Sequence, residues 1–112
     1  MVFKYIKTFE HDSIAAGSTV SSSWTADEDL VIKRVFIARK DGTALTASTF
    51  YFKIADRVYT REVAPAIVFG RTVDISPEVN ISFTKGEKLD YVFKNLEGAT
   101  ISIFVYFEVW SG

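Results

Sequence analysis

The segment Ala99-Thr-Ile-Ser-Ile-Phe-Val-Tyr-Phe-Glu-Val-Trp110 decides the fold. Read with the two-residue period of a strand, Ile101, Ile103, Val105, Phe107 and Val109 share one face. Thr100, Ser102, Phe104, Tyr106, Glu108 and Trp110 share the other, and three of those six are aromatic. A strand with one dry face carries polar residues on its second. This strand is therefore expected to meet something on both sides: a facing sheet on one, and a sheet, subunit or ligand on the other. The segment predicts an all-β domain built for association.

Working outward, the same period recurs between turn signals. Strands are expected over Val2–His11, Thr19–Thr25, Leu30–Lys40, Thr49–Ala55 and Val58–Val63, with a shorter one at Ile67–Phe69, a strand or loop through Val73–Ile75 and another strand at Val79–Phe83. A further strand carries Leu89, Tyr91 and Phe93 inward, as Phe50, Phe52 and Ile54 are expected to do earlier in the chain. Asp41-Gly42, Lys85-Gly-Glu-Lys88 and Asn95-Leu-Glu-Gly98 read as turns, and Pro65 as an interruption of pairing. In the third strand, Val31, Val35 and Ile37 are assigned to one face and Leu30, Ile32, Phe36 and Ala38 to the other. In the first, Phe3, Tyr5, Lys7 and Phe9 are assigned together. No window shows a helical stripe. The expected architecture is a single domain over residues 1–112, an antiparallel β-sandwich of eight or nine strands with jelly-roll or Greek-key topology. Its two terminal strands should lie side by side.

Composition supports this reading. In 112 residues, 48% are hydrophobic and ten are Phe, enough to fill a sandwich core and too apolar for disorder. The formal net charge is -1, with basic residues scattered, so no global field favours nucleic acid or opposes self-association. There is no cysteine, which excludes disulfides and thiolate chemistry. No apolar run is long enough for a membrane span, and the N-terminal Met-Val-Phe-Lys-Tyr-Ile-Lys lacks a signal-peptide pattern. With its initiator Met, the chain is expected to be a complete small gene product.

Candidate chemistry is sparse. His11, the one histidine, sits between Glu10 and Asp12 and is read as part of a solvated turn rather than as a metal ligand. Asp27-Glu28-Asp29 is read likewise, since it lacks the spacing of a calcium loop. The serines have no Gly-x-Ser-x-Gly elbow. No metal, cofactor or catalytic residue is expected, and the chain is read as a non-enzyme. Trp24, Tyr51, Tyr59, Tyr106 and Trp110 are the aromatics that could stack on sugar rings, although large rings more often fill cores and interfaces.

The run Ile14-Ala-Ala-Gly-Ser-Thr-Val20, then Trp24-Thr-Ala-Asp27, then Leu30-Val-Ile-Lys-Arg-Val-Phe-Ile37, with the later Phe83-Thr-Lys-Gly-Glu-Lys-Leu89 and Asn95, resembles small jelly-roll virion proteins. Such proteins serve as minor capsid, decoration, penton or spike-base components of tailed phages and archaeal viruses. The resemblance implies a structural virion protein, assembled in a host cytoplasm and binding other capsid proteins. A homo-oligomer is expected, as a trimer or pentamer, with Phe3, Tyr5, Phe104, Tyr106 and Trp110 in the interface. The competing expectation is a carbohydrate- or receptor-binding module that uses Trp24 and Tyr59.

Overall fold

The computed structural model describes residues 2–55, 57–58, 64–65 and 78–111. They form nine β-strands: β1 Val2–Ile14, β2 Thr19–Thr25, β3 Leu30–Arg39, β4 Thr49–Ile54, β5 Arg57–Val58, β6 Ala64–Pro65, β7 Glu78–Phe83, β8 Lys88–Lys94 and β9 Ile101–Ser111. Seven of the nine have six residues or more. Among the expected elements, Ile67–Phe69 and Val73–Ile75 lie outside the described residues, as does most of Val58–Val63.

The pairing follows one rule. The first strand pairs with the last, the second with the second-last and the third with β7, while β4 pairs with both β5 and β6. That is one long antiparallel hairpin folded about the connection after β4. Rolling it up adds the contacts β3 to β9 and β4 to β8, giving two sheets in the orders β1-β9-β3-β7 and β2-β8-β4-β5. This is the jelly-roll arrangement. The sheets face one another across one apolar cluster to which β3, β4, β7, β8 and β9 all contribute. β9 sits inside its sheet between β1 and β3, so its inward residues Ile103, Val105, Phe107 and Val109 are all fully buried.

Where strands run without irregularity, alternation holds. Phe50, Phe52 and Ile54 point inward from β4, and Leu89, Tyr91 and Phe93 from β8. Register shifts break it elsewhere, one in β3 and two in β1. In β3 the register shifts between Ile32 and Arg34, so Leu30, Ile32, Val35 and Ile37 face the core while Val31, Phe36 and Ala38 face outward. The assignment of Val31 with Val35 is thereby corrected, because one inserted residue exchanges the faces beyond it. In β1 one shift falls between His11 and Ile14 and the other between Phe3 and Tyr5. Phe3 lies opposite Trp110 and Tyr5 opposite Val109, so the two aromatics occupy opposite faces.

One end of the sandwich is held by two side chains of the β8–β9 turn. Asn95, fully buried, donates through its Nδ2 to the carbonyls of Ile14 (2.9 Å) and Ala99 (2.8 Å). The Glu97 carboxylate accepts from the N–H groups of Thr46, Ala47 and Ser48 and from the hydroxyls of Thr46 and Ser48, all at 2.7–3.0 Å. Together they tie the end of β1 and the β3–β4 connection to the β8–β9 turn. Burial alone would raise the Glu97 carboxyl, but the Ser48 hydroxyl and the three backbone N–H groups hold it at about 2, against an ordinary 4.5. The folded value lies below the unfolded one, so this stabilisation is complete above about pH 4.5 and is lost as pH falls toward 2. Glu97→Gln is expected to cost about 2 kcal/mol at pH 7, the scale of charge-assisted hydrogen bonds. Urea titrations at pH 7 and pH 3 should show the gap between the two proteins narrowing in acid; a pH-independent gap would contradict the assignment.

Candidate functional site

The outer face of the β1-β9-β3-β7 sheet carries what a solvent-facing sheet surface ordinarily lacks, a row of rings. Phe104, Tyr106 and Trp110 point outward from β9, each half-buried. Beside Tyr106 on β3 lies Phe36, its ring stacked on the tyrosine at 4.7 Å between centroids and 22° between planes. Phe36 is only 6% exposed although it stands outside the central apolar cluster. Phe104 lies 5.7 Å from Tyr106, and Phe3 meets Trp110 edge-on at 5.9 Å. Ile6, 44% exposed, extends the surface from β1 opposite Glu108. Burial raises the pKa of the Tyr106 hydroxyl above its ordinary value.

Charged groups frame the row at both ends. At one, Lys40 lies 4.8 Å over the Phe104 ring and is bonded to Glu10 and Asp12, whose hydrogen bonds raise its pKa. At the other, Lys33 lies 5.0 Å over the Trp110 ring and pairs with Glu78 at 3.1 Å. Glu108 interrupts the rings but is almost wholly covered. Arg34 Nη1 donates to its two oxygens at 3.3 and 3.2 Å and Trp110 Nε1 donates at 2.8 Å. A carboxylate can sit among rings only when paired and hydrogen-bonded in this way. Among the described residues, Arg34 Nε is buried with no hydrogen-bond partner.

The five residues assigned to an interface thus divide. Phe3, Phe104, Tyr106 and Trp110 share this outer face. Tyr5 does not: beyond the β1 bulge it faces the second sheet, 6.5 Å from the Trp24 ring, and burial followed by the nearby charges of Asp27 and Glu28 raises its pKa. Phe36 and the Arg34–Glu108 pair belong to the surface and were not legible beforehand. The β3 bulge hides Phe36 from a strict alternation, and Arg34 gave no sign of its partner 74 residues away.

Trp24, considered for sugar stacking, is not a free platform. It packs on the core edge-on to Phe83 at 4.9 Å, with Phe107 at 6.0 Å and Phe9 at 6.5 Å, and Lys7 lies 5.7 Å from its ring. Tyr59 lies outside the described residues. Tyr51 is on the outer face of the second sheet, in a shallow depression of about 340 Å³ with Thr19, Thr49, Val92 and Lys94. His11 belongs to no turn. It stays within β1, half-buried, with Nε2 2.6 Å from the Tyr91 hydroxyl of the facing sheet, and burial lowers its pKa. Among the described residues, no three of His, Asp and Glu converge as metal ligands and no helix is long and apolar enough to cross a membrane.

Comparison with protein-family models, with curated proteins and with solved structures finds no match.

Proposed function

We propose that this chain is a non-enzymatic structural protein of a virus particle, a homo-oligomeric jelly-roll subunit of the decoration, penton or spike-base kind. The observation that carries the reading is the aromatic outer face of the β1-β9-β3-β7 sheet. Rings so placed gain little from water and much from a second apolar surface, and Phe, Tyr, Trp and Arg are enriched in interface cores. The arrangement, an apolar row with charges at its ends, also matches the core-and-rim anatomy of subunit contacts. The jelly roll supports the virion part of the proposal only as a fold that capsid domains commonly use.

The occupant of this face is another copy of the chain. A near-neutral protein offers no long-range repulsion to self-association. Each end of the row carries both signs, Lys40 with Glu10 and Asp12 at one, Lys33 and Arg34 with Glu78 at the other, so copies can meet without opposing like charges. Mass spectrometry of purified particles from the source of this chain tests the virion assignment. The chain is expected at a fixed copy number per particle; finding it only in the particle-free fraction would contradict it.

A further inference from the structure

The two sheets end, on the same side of the sandwich, in edge strands of very different character. β1 is broken by register shifts near both ends and carries Lys4, Lys7, Glu10 and Asp12. Bulges and charges of this kind are how proteins protect an edge from pairing with another chain. β2 has none of them. It pairs with β8 through seven consecutive residue pairs without a shift, contains no charged residue and no proline, and among the described residues has no other strand partner. Its outer edge carries a row of backbone donors and acceptors that no described strand pairs.

The sequence of this edge, Thr19-Val-Ser-Ser-Ser-Trp-Thr25, is also a chemical palindrome about Ser22. We infer that β2 pairs antiparallel with β2 of a second copy across a two-fold axis at Ser22, joining two five-stranded sheets into one. In that register Thr19 meets Thr25 of the second copy, Val20 meets Trp24 and Ser21 meets Ser23. Hydroxyl pairs and aromatic with β-branched pairs are the cross-strand combinations that stabilise antiparallel strands. No other register about this strand places all seven residues opposite chemical equivalents. The faces agree as well: Thr19, Ser21, Ser23 and Thr25 are exposed on the outer face, while Val20 and Trp24 point to the core side. The contact is isologous, as a two-fold requires. It also covers the half-buried Phe9, Val20 and Trp24, which sit at the open side of the sandwich with Lys7 laid over two of the rings.

This inference rests on reading the chain as a self-assembling unit, and supplies a second contact distinct from the aromatic face. Ser21 and Ser23 are exposed, so they can be changed without entering the core. The test uses two double variants, Ser21→Glu with Ser23→Glu and Ser21→Lys with Ser23→Lys, each checked for native circular dichroism. Either alone places like charges opposite one another across the axis. Light scattering should give each a lower mass than wild type, and an equimolar mixture should regain the wild-type mass as a heterotypic pair. Amides of β2 should exchange faster in the single variants than in the mixture. If both variants keep the wild-type oligomeric mass, the β2 contact is overturned while the assembly reading stands. A wild-type chain that is monomeric at every concentration overturns both.

Discussion

Replacing Tyr106 and Trp110 together by serine is expected to remove the aromatic-face contact and reduce the assembly to no more than a β2-paired dimer of the 12.6 kDa chain. The two rings sit at the centre and one end of the row, and each supports neighbours. Tyr106 covers Phe36 and borders Phe104; Trp110 meets Phe3, underlies Lys33 and donates to Glu108. Hot spots of this type carry most of an interface's energy, typically at least about 2 kcal/mol per ring. Two of them lost from each contact weaken association about a thousandfold or more, since each 1.4 kcal/mol is roughly a factor of ten. The fold should persist, because both side chains lie outside the central cluster. Native circular dichroism with a fallen mass is the expected pair of results. An unchanged mass would place the interface elsewhere.

The second large effect is on stability. Phe107→Ala is expected to cost about 3–5 kcal/mol, the range for emptying a buried aromatic site. Phe107 is fully buried and touches both sheets: Phe9 of β1 at 5.9 Å, Trp24 of β2 at 6.0 Å, Phe52 of β4 at 6.3 Å and Tyr91 of β8 at 6.0 Å. Those neighbours are large and rigid, so they cannot collapse into the space left behind. Against a total of about 5–15 kcal/mol for such a domain, the variant stands near its limit. Urea unfolding should show the midpoint fall with little change in slope. A loss below about 1 kcal/mol would mean that the sheets are not joined through this ring.

The residues that made the fold legible are those in unbroken strands. β4 and β8 keep strict alternation, and so does β9 except at Glu108, which its partners bury on the outer face. The terminal strands lie side by side as their length suggested. What escaped was set by single inserted residues. A bulge has no reliable signature in one sequence, yet the one after Ile32 moves Phe36 to the outer face and the one after Phe3 moves Tyr5 to the inner. His11 escaped for a different reason: acidic neighbours suggested a turn, whereas β1 continues to Ile14 and presents the ring to Tyr91. Trp24 could have been placed, since Val20 and Trp24 alternate with Thr and Ser along β2. Of the outer surface, Phe3, Phe104, Tyr106 and Trp110 were legible as a set of rings. The polar partners that hold Glu108 among them come from another strand, and no local pattern announces them.

Self-assembly through the outer face of β9 is the centre of this account, and the mass of the wild-type chain in solution tests it most directly. Size-exclusion chromatography with light scattering over a wide concentration range should give a discrete multiple of 12.6 kDa. A mass of 12.6 kDa at every concentration would contradict it, leaving the half-buried rings of β9 without the partner their placement requires.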